Sequence, residues 1–147
     1  MWSKNNSLTL SRLMTATFLL CLTVGMIFLK PILSWYLELT SQLSLPASLI
    51  RLFCLAAAPA YLALICLWQL LSQVSAGAVF SSGSIARIRW LSWCCFAEAL
   101  VFLLFGAGYL ITILICILAA FMGLILRVVK NVIQWASEIK AENDLTV

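Results

Sequence analysis

The sequence predicts an all-α integral membrane protein with four transmembrane helices in a bundle. Hydrophobic residues make up 65% of the 147 residues and charged residues only 10%, whereas soluble proteins average about 45–50% and 25%. The apolar residues are gathered into long stretches, and most basic residues lie at the ends of those stretches. A soluble fold of this size could not bury so much apolar surface, so we expect the lipid bilayer to surround the single domain.

The first predicted span covers residues 12–34. After Arg12, residues 13–29 contain no charge, and Lys30 and Pro31 close the stretch. With its flanks it is long enough to cross a hydrocarbon core of about 30 Å. A cleaved signal peptide is the alternative, with an apolar core of about 7–15 residues and a small-residue cleavage site. The sequence has no clear site of that kind, which favours an uncleaved helix.

The second predicted span covers residues 50–72. Before it, residues 32–46 mix aromatic and polar side chains with leucines, which predicts either an outer loop or a helix extension along the membrane interface. The alanines within residues 56–60 favour close approach of a neighbouring helix. Pro59 lies among them and is expected to kink the helix.

The third and fourth spans are predicted at residues 90–107 and 109–132. Residues 90–126 are nearly all apolar, and as one helix they would measure about 55 Å, nearly twice the hydrocarbon core. The stretch must therefore turn, and Gly106-Ala107-Gly108 is the best position for the turn.

Polar segments precede and follow this pair of spans. Residues 73–89 form a predicted loop in which Ser81 is a candidate N-cap for the third helix. Residues 133–147 form a polar tail that we expect to continue the last helix.

The basic residues predict the orientation of the spans. With four spans both termini lie on one side, which collects seven basic residues: Lys4, Arg12, Arg87, Arg89, Arg127, Lys130 and Lys140. The opposite side has only Lys30 and Arg51. The positive-inside rule therefore places both termini and the loop at residues 73–89 in the cytoplasm.

The composition argues against several classes of function. The chain contains no histidine, the commonest general base and metal ligand. Its six cysteines lie in or beside apolar stretches without a C-x-x-C spacing, which favours packing over metal binding or redox chemistry. A net charge of +4 suits anionic lipid better than nucleic acid. We expect no enzyme, metal or cofactor, and no direct binding of nucleic acid.

Two separated motifs carry a resemblance to a known family. The first is Val79-Phe80-Ser81 with Ser84-Ile85 and Arg87-Ile88-Arg89, and the second is the ending at residues 139–147. With the four-span layout, they resemble the bacterial membrane-protein family catalogued as domain of unknown function 2975. Gly83, and a short apolar link between the last two spans, depart from the family pattern.

This resemblance implies a multi-pass protein of the bacterial cytoplasmic (inner) membrane with four helices and no known activity. Members are often encoded beside a small helix-turn-helix transcriptional regulator. Such a DNA-binding regulator is therefore the cytoplasmic protein partner that the resemblance implies.

Glu98 is the single acid inside a predicted span, and ionisable residues at membrane depth are functional candidates by default. Counted along their helices, Tyr61 and Thr23 reach a similar depth. The structural interpretation is a protonated Glu98 that is hydrogen-bonded to one of them and holds helices together. The functional interpretation is a small proton- or cation-coupled transporter centred on Glu98, which would need a homo-oligomer to form a pathway.

The cytoplasmic face offers a second group of candidates: Phe80, Ser81, Ser84, Arg87, Arg89, Glu138, Lys140, Glu142, Asn143 and Asp144. The segment around Phe80 is either a docking site or a capped helix start with positive-inside arginines. The tail either binds a partner or frays. Its acids are also candidates for contact with Arg87 and Arg89. The leading hypothesis is a non-enzymatic protein that binds the transcriptional regulator through its cytoplasmic face. Binding would anchor the regulator at the membrane or control its activity.

Overall fold

The computed structural model describes residues 4–40, 47–77, 81–106 and 110–145. All regular structure in these ranges is α-helical: α1 (Lys4–Ile27), α2 (Leu29–Thr40), α3 (Ala47–Ser75), α4 (Ser82–Gly106) and α5 (Leu110–Leu145). Within the described ranges, α1, α3, α4 and α5 are long and apolar enough to cross a membrane. The predicted all-α class with four such helices is therefore confirmed.

The first two helices are nearly continuous. At the turn between them, the Phe28 N–H donates to the Val24 carbonyl oxygen at 2.9 Å, and the Ile32 N–H donates to the Phe28 carbonyl oxygen at 3.0 Å. The chain after Ile32 therefore forms a helix extension as far as Thr40. The rest of the predicted outer segment, residues 41–46, lies outside the described ranges.

The spanning helices pack mainly in series. α4 lies between α3 and α5, and α1 packs chiefly against the other side of α3. α4 is the most buried of the four and α1 the least. The sequence predicted a bundle without an order of contacts, and the contacts in the described ranges run α1–α3–α4–α5 rather than around a ring.

A small apolar cluster joins α3, α4 and α5. Leu52, which is 1% exposed, and Ala56 of α3 pack with Phe102 of α4. Ile115 and Cys116 of α5 lie against this cluster. The alanine-rich stretch of α3 is thus a helix-packing surface, as predicted, and α3 continues without interruption through Pro59.

α4 and α5 approach closely at Gly123. The Ser92 hydroxyl donates a buried hydrogen bond to the Gly123 carbonyl oxygen at 2.8 Å. A Cβ atom at Gly123 would lie only 3.2 Å from two ring carbons of Phe96 and 3.4 Å from Cβ of Cys95. Nearby, the Arg127 guanidinium lies over the Trp93 ring, 5.2 Å from its centroid. The missing side chain at Gly123 therefore permits the helix contact.

The last helix continues well beyond its neighbour. α4 and α5 are antiparallel and Ser92 lies beside Gly123, so Ser82, the first residue of α4, is level with about residue 133 at equal rise per residue. α5 runs on to Leu145, about 18 Å further along its axis. Residues 134–145 are called the protruding segment below.

Candidate functional site

Glu98 lines a groove of about 180 Å³ at the junction of α3, α4 and α5. The other lining residues are Pro59, Ala60, Ala63, Cys94, Cys95 and Ala119. The Glu98 Oε2 atom is buried and has no hydrogen-bond partner among the described residues. One oxygen of this carboxyl group is thus held against small apolar side chains.

The predicted hydrogen bond from Glu98 to Tyr61 or Thr23 is wrong. The Tyr61 hydroxyl instead donates to Thr23 Oγ1 at 3.1 Å, which joins α3 to α1. Ala63, which lines the Glu98 groove, is two residues from Tyr61 and therefore about 160° away around α3. Glu98 of α4 therefore packs against one face of α3, whereas Tyr61 lies on another face of α3 and contacts α1.

The ionisable groups that line the groove are the Glu98 carboxyl group and the thiols of Cys94 and Cys95. Within the part of the chain that the structure describes, no three His, Cys, Asp or Glu side chains are placed to hold a metal ion. All six cysteines are free thiols. Within the groove, Glu98 can offer a proton or an oxygen ligand to a cation.

Ser81 caps the first turn of α4, as predicted. The Ser84 N–H donates to Ser81 Oγ at 3.2 Å, which satisfies one of the backbone donors that a helix start leaves free. Ser84 itself is 1% exposed, and its hydroxyl donates to Gln73 Oε1 of α3 at 2.8 Å. Ser84 is therefore occupied in helix packing, and Phe80 lies outside the described ranges.

Arg87 joins the same contact between α3 and α4. Its Nε donates to Gln69 Oε1 at 3.1 Å. A Cβ atom at Gly83 would lie 2.9 Å from Gln73 Nε2 and 3.4 Å from an Arg87 nitrogen, so the absence of a side chain at Gly83 leaves room for the contact. Arg89, by contrast, is exposed.

Sequence reasoning missed Gln69 and Gln73. Their spacing of four residues near the end of an apolar stretch was the available signal, because it places both amides on one face of a helix. On the other side of α3, Arg12 of α1 donates to Ser75 Oγ at 2.6 Å. Polar contacts thus join α1, α3 and α4 at the end of the molecule where α4 begins.

The tail residues as far as Leu145 lie in α5, beyond the start of α4. Glu138, Lys140 and Glu142 are exposed, and Glu138 accepts a hydrogen bond from Gln134 Nε2 at 3.2 Å. Asn143 and Asp144 belong to the same helix, but their side chains are outside the described part.

Among the described side chains, Glu138 does not make the predicted contact with Arg87 or Arg89, because it lies too far along α5. Given the pairing of Ser92 with Gly123, Arg87 is level with about residue 128, and Glu138 lies about 15 Å further along the axis. The continuous helix carries the acids away from α4 instead of folding them back onto it.

The comparisons with known proteins support one assignment. Residues 30–147 match the model of a family described as "Protein of unknown function (DUF2975)". The match includes α3, α4 and α5, and α1 lies before it. Neither a curated protein nor a solved structure matches the chain. Because the matched region covers well over half of the sequence, the chain belongs to the DUF2975 family.

Proposed function

We propose that this chain is a non-enzymatic, multi-pass protein of the bacterial cytoplasmic membrane that binds another protein through the protruding segment of α5. Both termini lie in the cytoplasm in this proposal. The supporting charges are at the end where α4 begins: Arg12, Arg87, Arg89, Arg127 and Lys130. An excess of basic residues on one side of short loops is typical of the cytoplasmic side.

The observation that carries the proposal is the length of α5. The helix has 36 residues, whereas about 20 suffice to cross a bilayer. The protruding segment extends past the start of α4, with Glu138, Lys140 and Glu142 exposed on it. A helix of this kind, with mixed charges and beyond its own packing neighbour, supplies a surface for a partner.

A small helix-turn-helix transcriptional regulator is the partner that we propose. The motifs at residues 79–89 and 139–147 carry the resemblance to bacterial proteins that are often encoded beside such a regulator. Binding at the protruding segment would hold the regulator at the membrane and so limit its access to DNA. No contact of this chain with nucleic acid is required.

Co-purification tests this proposal. The double variant Glu138→Lys, Glu142→Lys reverses both exposed acids of the segment, and Glu38→Lys reverses an exposed acid on α2 as the matched control. The amount of the regulator encoded beside this chain that co-purifies with it should fall at least tenfold in the double variant and stay unchanged in the control. Unchanged recovery from the double variant and from a chain truncated after Gln134 would overturn the proposal.

Glu98 favours a second candidate function, proton- or cation-coupled transport. Its buried oxygen lacks a partner among the described residues, and an unpaired acid at membrane depth is costly unless it has a use. In proteoliposomes, Glu98→Gln should abolish coupled flux, with Glu38→Gln as the control. Flux that is equal in Glu98→Gln and the original chain would exclude this candidate.

A further inference from the structure

Six large apolar residues form a continuous stripe along α5. They are separated by four, three, four, three and four positions, and each is exposed: Phe121, Ile125, Val128, Val132, Trp135 and Ile139. This is the heptad spacing of helices that wind around one another. Lipid alone imposes no such period on the residues that it covers. The residues are called the α5 stripe below.

The stripe has the residue types of a paired helix. In heptad notation, Ile125, Val132 and Ile139 occupy the a positions, and all three are β-branched. β-branched residues are common at the a positions of parallel coiled coils, and the d positions here hold Phe121, Val128 and Trp135. The next d position after Trp135 is Glu142, so the apolar pattern ends just before the helix does.

The α5 stripe faces away from the rest of the molecule. The contact of α5 with α4 uses Gly123 and Arg127, and Gly123 lies about 140° around the helix from Val128. The cations Arg127, Lys130 and Lys140 occupy the c, f and b positions. None of them would stand in a seam formed by the a and d positions, so two copies of the stripe meet without repulsion between cations.

Lipid covers only part of the stripe. Val132, Trp135 and Ile139 follow the basic residues Arg127 and Lys130, and they are 57%, 66% and 59% exposed. Ile139 lies about 18 Å beyond Arg127 along the helix, past the depth at which acyl chains surround a span. A partner that covers the whole α5 stripe must therefore itself extend from the bilayer into water.

We infer that the α5 stripe pairs with the same stripe of a second copy in a parallel, two-fold dimer. The second α5 has the same length, the same apolar pattern and the same passage from an apolar span to a polar extension. A two-fold axis along the membrane normal keeps both copies in one orientation. This inference does not rest on the proposed regulator, because it uses the apolar face of α5 and not its acids.

Site-specific crosslinking of the full chain in native membranes tests the dimer. In a parallel pair two cysteines at an a position face each other, whereas cysteines at an f position point apart. Under a mild oxidant, Val132→Cys should therefore form a covalent dimer at least tenfold faster than Ser137→Cys, with the six native cysteines present in both. Equal rates, or a crosslink from residue 132 to a different protein, would overturn the inference.

Single-molecule photobleaching in lipid vesicles gives an independent measure. Trp135→Glu places a charge in the seam and should lower the dimer fraction at least tenfold, whereas Gln134→Glu, at a c position, should leave it unchanged. If the chain without substitutions is monomeric at all protein-to-lipid ratios, the inference is overturned. A dimer that resists Trp135→Glu and Val132→Glu would place the contact elsewhere and overturn it as well.

Discussion

Gly123→Leu should destabilise the packing of α4 against α5. The new Cβ atom would lie 3.2 Å from two carbons of the Phe96 ring, whereas carbon atoms pack best at about 3.5–4.0 Å. The side-chain atoms of leucine beyond Cβ have still less room, because the Ser92 hydroxyl is hydrogen-bonded to the Gly123 carbonyl oxygen in the same contact.

The magnitude follows from three contributions. Overpacking typically costs about 1–3 kcal/mol, and loss of the Ser92 hydrogen bond adds about 0.6 kcal/mol in a membrane protein. Leucine is a better helix former than glycine by roughly 0.8–1 kcal/mol, which opposes these losses. The free energy of unfolding should therefore fall by about 1–3 kcal/mol.

Gly25→Leu is the matched control. A Cβ atom at Gly25 meets nothing within 4 Å, so the same substitution there keeps the gain in helix propensity without the clash. Reversible unfolding in mixed micelles, followed by circular dichroism, compares the two variants. Gly123→Leu should be less stable than Gly25→Leu by about 2–4 kcal/mol, because the propensity gain cancels.

Equal stability of the two leucine variants would refute this reasoning. It would mean that α4 and α5 do not approach at Gly123 as closely as the distances indicate.

Three further predictions concern other contacts. Ser81→Ala removes the cap of α4 and should lower the free energy of unfolding by about 0.5–2 kcal/mol; an equal loss in Ser82→Ala would contradict it. Tyr61→Phe removes the hydrogen bond to α1 and should cost about 0.6 kcal/mol in the same assay, and no measurable loss would show that the bond is not formed. A photoactivated carbene reagent dissolved in the bilayer should label α1 at exposed Cys21 more than α4 at buried Cys94, and the reverse order, read by mass spectrometry, would contradict the packing.

The number of long apolar helices was accessible from the sequence because it follows from distances along the chain. Their bounds were less accessible: α1 already begins at Lys4, and α4 begins at Ser82, so it takes up much of the loop that was predicted at residues 73–89. Residues 90–126 are too long for one span, and α4 does end at Gly106. Ser81 was recognisable as a cap because capping depends on one residue type at one position.

The partners of the polar side chains were less accessible, because they depend on rotation around each helix. Counting residues placed Glu98 and Tyr61 at one depth, but packing turned Tyr61 toward Thr23. In a membrane, apolar residues face both lipid and protein, so hydrophobic pattern alone does not show which face is buried. Glu138 was misplaced because the uninterrupted continuation of α5 separates it from Arg87 along the helix axis.

The cluster of Leu52, Ala56 and Phe102 has a consequence for the order in which the protein forms during synthesis. Ile115 and Cys116, which pack against the cluster, lie in α5, the last of the described helices to be synthesised. Until then, the polar contacts that join the two earliest spans are Arg12 to Ser75 and Tyr61 to Thr23. A nascent chain stopped before residue 110 therefore has Leu52, Ala56 and Phe102 but lacks the α5 residues that cover them.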